Sequence, residues 1–230
     1  MARCLFCVEE MKAVLTWRNL LLKKEAMTIC ERCEGKLKKL AGEACSICSR
    51  ELDKNYRIED LCLDCVRWEK DKKWSGYLSI NISLFHYNEF LKDMIAKYKY
   101  RGDYALAEAF VPFLKDKLKD MDFDLVTFIP LSNERLMERG FNQAQALTDL
   151  LGLNTVELLT RLHTEKQSKK SREERISLPQ VFQVTKPDLL KQKSILIVDD
   201  IYTTGSTLRH AAKALKTAGA TEVSSITLAR

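Results

Sequence analysis

Residues 194–207, SILIVDDIYTTGST, constrain the fold more than any other stretch of the chain. Ile195 to Val198 is a short run of β-branched residues and Leu without polar alternation, which predicts a strand buried on both faces, as in a parallel sheet. Beyond a hydroxyl-rich turn, Leu208, Ala211, Ala212 and Leu215 fall on one helical face, and Gly219 ends the pattern. Glu222 to Ala229 reads as the next strand. Strand, crossover helix and strand in that order make a βαβ unit, whose parallel sheet must be covered by helices, so the fold class of this part is α/β.

In such sheets ligands bind at the carboxyl ends of the strands. Asp199 and Asp200 fall at that rim. Two adjacent carboxylates accept hydrogen bonds from vicinal sugar hydroxyls and offer hard oxygen ligands to a divalent cation such as Mg2+. Thr203, Thr204, Gly205, Ser206 and Thr207 bring backbone N–H groups, hydroxyls and the positive end of a helix dipole together, with Gly205 permitting close backbone approach. A phosphate is the natural guest of that turn. Singly, each piece also fits a plain role, an acidic pair decorating a strand end or a turn capping a helix. Joined in this order they point to a phosphorylated ribose.

All eight cysteines lie within the first 65 residues, as Cys4/Cys7, Cys30/Cys33, Cys45/Cys48 and Cys62/Cys65. Four C-x-x-C pairs in a chain without an export signal point to structural zinc, because two thiolates two residues apart reach one tetrahedral ion from a tight turn. Pairing neighbours in sequence gives one Cys4 site from the first two pairs and a second, more compact site from the last two. A cross-braced arrangement, in which the first and third pairs share a metal, is the alternative that the spacing leaves open. Thioredoxin-like redox pairs fit poorly, since no βαβ pattern surrounds any of them.

The formal charge of +6 is spread evenly at the coarsest level: residues 1–75 carry sixteen Lys/Arg and thirteen Asp/Glu. Eight thiolates and two zinc ions would bring that segment close to neutrality, so charge alone marks no nucleic-acid footprint there. Arg161 to Lys193, with nine basic and four acidic residues, is the better anion-binding candidate. The charged stretch WEKDKKWSG, Trp68 to Gly76, places a boundary between a cysteine-rich domain over 1–75 and an α/β domain over 76–230. No apolar run is long enough to cross a bilayer and the N-terminus has no leader pattern, so the expectation is a cytoplasmic protein without membrane insertion.

Tyr77 to Tyr87 alternates enough for a strand, Glu89 to Tyr98 reads as a helix, and Tyr104 to Leu118 as another that Pro112 interrupts. Leu125 to Ile129 is a second apolar strand ending at Pro130. In the loop after it, Ser132, Asn133, Arg135 and Arg139 are donors suited to a pyrophosphate, arginine being able to bind two oxygens at once. Phe141 to Leu151 reads as a helix. Leu162 to Phe182 is polar, charged and long, which suits a flap that closes over substrate, with Gln167, Arg172 and Arg175 reaching phosphate oxygens.

The stretch ILIVDDIYTTGSTL resembles the phosphoribosyl-pyrophosphate signature of type I phosphoribosyltransferases. In that family the acidic pair, here Asp199 and Asp200, meets the ribose hydroxyls, and the loop, here Thr203 to Thr207, cradles the 5′-phosphate. KYKYRGDYALAEAF, ERGFNQAQAL and the ordered set Arg161, Gln167, Arg172, Arg175 and Phe182 narrow the resemblance to the ComF competence proteins, which join a cysteine-rich zinc module to a phosphoribosyltransferase-like domain. The likeness runs nearly end to end. One departure is that family members tend to carry a second proline soon after the first, where this chain has Leu131 and Ser132 after Pro130.

The resemblance implies a role in natural transformation, handling single-stranded DNA in the cytosol together with a helicase encoded in the same operon, which would recruit the protein to the inner face of the membrane. Three functions then stand side by side. The first is a DNA-uptake factor that binds phosphoribosyl pyrophosphate or a related ribose phosphate. The second is an active transferase in which Asp199, Asp200, Arg135 and Arg139 are catalytic and magnesium and the arginines stabilise the departing pyrophosphate. With 23 residues after Thr207, mostly committed to a helix and a strand, its nucleobase hood would be missing. The third is a zinc-dependent adaptor with an idle pocket, with single-stranded DNA reached through Lys99, Arg101 and tyrosines such as Tyr98, Tyr100 and Tyr202 that otherwise serve as packing residues.

Overall fold

The computed structural model describes residues 2–11, 28–162 and 181–230. In the cysteine-rich part, β1 (Ala2–Arg3) and β2 (Glu10–Met11) form a small antiparallel hairpin, followed by α1 (Glu31–Glu34). A second hairpin, β3 (Arg57–Ile58) and β4 (Leu61–Cys62), leads directly into α2 (Leu63–Lys70).

The α/β part runs β5 (Asn81–Phe85), α3 (Glu89–Tyr100), a 3-10 turn over Tyr104–Ala109, α4 (Val111–Leu118), β6 (Leu125–Phe128), α5 (Asn133–Arg139) and α6 (Gln143–Leu151). A short antiparallel pair, β7 (Leu159–Arg161) and β8 (Phe182–Val184), precedes β9 (Ser194–Ile201), α7 (Ser206–Thr217) and β10 (Glu222–Ala229). The single helix expected over Tyr104 to Leu118 is divided, and Pro112 sits in the first turn of α4, where its missing N–H costs no hydrogen bond. α6 starts two residues later than expected because the Asn142 side chain accepts hydrogen bonds from the Ala144 and Gln145 amides and so caps it.

Four strands form one parallel sheet in the order β5-β10-β9-β6. Side chains alternate across β9 and sort into two cores: Leu196 and Val198 join the layer that contains α3, α4 and α6, and Ile195 and Ile197 join the layer under α7. That is why the run Ile195 to Val198 has no polar alternation. The four residues of α7 expected to face inward, Leu208, Ala211, Ala212 and Leu215, are buried.

The cysteine-rich segment packs on both layers. Cys4 and Cys33 lie in the first core, and Cys45, Cys48, Cys62 and Cys65 in the second. It also closes one margin of the sheet: Leu40 N–H donates to Leu84 O, His86 N–H donates to Lys38 O, and Lys39 bridges Phe85 antiparallel. Among the described residues no helix is long and apolar enough to cross a membrane.

Candidate functional site

The carboxyl rim of β9 carries Asp199 and Asp200. Asp200 N–H donates to Asp199 Oδ1 at 2.9 Å, and the Asp200 carboxylate is ion-paired with Lys99 near the end of α3, both side chains being mostly buried. Burial, and then the neighbouring Asp200 charge, push the Asp199 carboxyl up to about 7, although Lys99 and Arg161 work against the rise. Asp199 is therefore a carboxyl whose ionised form lacks sufficient compensation in the ligand-free site.

Both carboxylates line a cavity of about 200 Å3 whose walls include Lys99, Arg135, Arg139 and Arg161, with Thr203 and Thr207 at one side. Burial and then Arg135 lower the Arg161 pKa, which places the two guanidinium groups within electrostatic reach of one another. Four cations against two carboxylates, one of them readily protonated, leave a positive pocket suited to an anion with several charges. A larger cavity of about 350 Å3 adjoins it at Ile201 and Thr203. One of about 890 Å3 runs along the β5 margin beside α4, away from the carboxylates and the loop.

Thr203 to Thr207 form the turn between β9 and α7. Gly205 adopts φ +78°, in the left-handed region, and stands directly before the helix. A Cβ there would lie 2.1 Å from Tyr202 Oη, so the backbone rests on the phenol and only glycine fits. Thr204 Oγ1 accepts from Ser206 N–H at 3.4 Å, while Thr203 and Thr207 are exposed. The α7 dipole points its positive end at this turn.

The loop after β6 divides the expected pyrophosphate donors. Ser132 caps α5, its Oγ accepting from Arg135 N–H at 3.4 Å, and Asn133 faces solvent at the start of that helix; neither lines the cavity. Arg135 and Arg139 do. Arg139 is held by a 2.9 Å bond to Gln143 Oε1 and lies over the Tyr100 ring. Of the expected stacking residues, Tyr98 and Tyr202 are buried packing residues and Tyr100 is exposed. Gln167, Arg172 and Arg175 lie outside the described residues. Lys99 and Arg161 complete the pocket without having been read as partners of the carboxylates. Asn142, whose side chain also donates to Ile129 O at 3.0 Å, fixes the loop from beneath.

The eight sulfurs form two tetrads of sequence neighbours, Cys4/Cys7/Cys30/Cys33 and Cys45/Cys48/Cys62/Cys65, with the sulfurs of each within 4.8 Å of one another. The cross-braced pairing is not the one adopted. Sulfur separations of 3.7 Å for Cys7–Cys30 and 3.5 Å for Cys48–Cys62 approach the edge of about 3.8 Å of a tetrahedron with Zn–S bonds of about 2.3 Å. Hydrogen bonds from Cys48, Cys62 and Cys65 pull the Cys45 thiol far down, while the bond to Cys45 pushes Cys65 up. Four sulfurs this close cannot all ionise without a cation among them. The tetrads can each hold a metal ion and are compatible with structural zinc.

A sequence profile of the phosphoribosyl transferase domain matches residues 136–230, the part that contains β9, the turn and α7. The chain is 38% identical over 232 residues to competence protein ComFC of Bacillus subtilis (strain 168), covering 99% of this chain and 94% of that one. It is 34% identical over 229 residues to competence protein ComFC of Streptococcus pneumoniae (strain ATCC BAA-255 / R6), covering 99% and 100% of the two chains. Competence protein F of Haemophilus influenzae (strain ATCC 51907 / DSM 11121 / KW20 / Rd) is 26% identical over 217 residues, 88% of this chain and 90% of the other. With two relatives matched above 30% identity along essentially its whole length, this chain belongs to the ComF family of competence proteins, whose α/β half is phosphoribosyltransferase-like.

Proposed function

We propose that this protein is a cytoplasmic competence factor for natural transformation and that its α/β part, residues 76–230, binds phosphoribosyl pyrophosphate or a related ribose phosphate. The observation that carries the ligand is the meeting of two rim carboxylates, a helix N-terminal turn and four basic side chains around one cavity. Asp199 and Asp200 take the ribose diol, Thr203 to Thr207 the 5′-phosphate, and Arg135, Arg139 and Arg161 the pyrophosphate, which guanidinium groups bind two oxygens at a time. A Mg2+ ion arriving with the ligand suits this donor set, because the carboxylates are hard oxygen ligands and the ion neutralises pyrophosphate charge. Residues 1–75 form a module held by two structural zinc ions. Partners consistent with this role are a helicase of the same operon and single-stranded DNA.

Calorimetry with phosphoribosyl pyrophosphate and Mg2+ tests the ligand. Binding is expected in wild type and at least a tenfold loss in Asp200→Asn, where the carboxylate that pairs with Lys99 is neutralised. Absence of heat in wild type removes the ligand assignment. Deleting the gene is expected to abolish transformation, and normal transformation in the deletion strain removes the cellular role. Release of pyrophosphate with an added acceptor would make the protein a transferase in its own right.

A further inference from the structure

Helix α2 starts at the second cysteine tetrad and ends against the turn that opens α7. Cys62 stands directly before it and Cys65 is in its first turn; Trp68 and Glu69, three and four residues further on, share a face with Cys65. Cys65 and Trp68 are buried.

Trp68 Nε1–H donates to Thr204 O at 3.0 Å. A trans peptide holds its C=O and N–H antiparallel, so drawing the Thr204 carbonyl toward α2 turns the Gly205 N–H to the opposite side, away from the protein wall that Trp68 forms. The next link is Arg209, fully buried on α7, which bonds Glu69 Oε1 at 2.6 Å, approaches Cys65 Sγ at 3.9 Å and lies over the Trp68 ring. Its own N–H donates to Gly205 O at 2.9 Å, so the first turn of α7 and the end of α2 are fastened by one side chain.

The last link runs from Cys48. Arg230 donates to Cys48 O at 2.8 Å and its guanidinium lies over the Tyr202 ring, the ring on which Gly205 rests. Three routes thus join one tetrad to one turn. The first tetrad is placed differently: Phe6, in the Cys4–Cys7 loop, packs on Phe90 and accepts from Lys97 Nζ, both on α3.

We infer that Trp68 and Arg209 are positioning residues for the bound phosphate, and that a metal ion at Cys45, Cys48, Cys62 and Cys65 sets the shape of the phosphate turn through them. This rests on reading the cavity as a ribose-phosphate site. Outer partners that orient a thiolate are also oriented by it, so the buried Arg209 guanidinium answers at once to the charge on Cys65 and to the start of α7. The metal centre therefore acts on the ligand site as well as on the fold.

Trp68→Phe keeps an aromatic ring against Trp74 and Arg209 and deletes the N–H donor. In the metal-loaded, full-length variant, affinity for ribose 5-phosphate is expected to fall about fivefold, the order set by one hydrogen bond. Affinity for inorganic pyrophosphate, held by the arginines, is expected to stay within twofold. Arg209→Lys, which keeps the charge and loses the fork, is expected to shift the same balance. No loss for ribose 5-phosphate, or equal loss for both probes, overturns the assignment.

A second readout needs no ligand. Amide hydrogen exchange at Gly205 to Thr207 is expected to accelerate in Trp68→Phe, and in wild type to accelerate with metal lost to graded chelation by a larger factor than the amides of β6. Exchange that does not respond, or responds by no larger a factor than β6, sinks the coupling whatever the protein binds. Exchange that responds in a wild-type protein that binds no ribose 5-phosphate sinks the ligand assignment and leaves the coupling standing.

Discussion

Asp199 shows what a buried carboxyl beside a second one costs the fold at the scale of one residue. Its carboxyl, ordinarily at 3.8, is pushed up to about 7 by burial and then by Asp200. Between those two values the folded protein holds a proton that the unfolded chain has released, so stability from this group is full below pH 4 and falls as pH rises through 7. Asp199→Asn keeps an oxygen for the Asp200 amide and removes the buried charge. The ligand-free variant is expected to be more stable than wild type at pH 8, by on the order of 4 kcal/mol, and equal to it at pH 4. Urea unfolding at the two pH values checks this; a difference that does not change with pH refutes it. On the proposed function, ligand and Mg2+ take the ionised form of Asp199, so binding is expected to tighten as pH rises through 7 and to release protons.

At the scale of elements, β9, the turn and α7 were legible because their determinants are local. The apolar run, the DD pair and the four inward residues of α7 are all within one stretch of sequence. What closes the site was not: Lys99 reaches Asp200 from α3, Trp68 reaches Thr204 from α2, and Arg161 arrives from β7. Those pairings depend on which helix crosses which end of the sheet, and no periodicity encodes that. The loop after β6 was legible in composition and ambiguous in role, since Ser132 and Asn133 are as good at starting a helix as at holding an anion, and in this fold Ser132 starts one. Gly205 tests how tightly the turn is seated on Tyr202. Gly205→Ala needs a left-handed alanine, about 1–2 kcal/mol, and a Cβ 2.1 Å from Tyr202 Oη. A loss of more than about 2 kcal/mol in urea unfolding is expected; a loss below about 0.5 kcal/mol would mean the turn is not packed on the phenol.

Over the whole molecule, the cysteine-rich segment and the sheet are one packing problem. The sequence marks where composition changes, near Trp68 to Gly76, but that same stretch supplies Trp68, Glu69 and Trp74 to α7: Trp74 meets His210 edge to face, and Lys213 Nζ donates to Lys73 O. Each tetrad contributes to a different core. Removal of metal is therefore expected to lower the Tm of the entire chain in one calorimetric transition, and a separate, unshifted transition of the α/β part would contradict this. The pairing of Lys38 to Leu40 with Leu84 to His86 has one more outcome. It conceals a strip of open backbone on β5, and a bare strand margin recruits strands from neighbouring molecules. If the tetrads hold zinc as proposed, a cell short of it would face clumped protein.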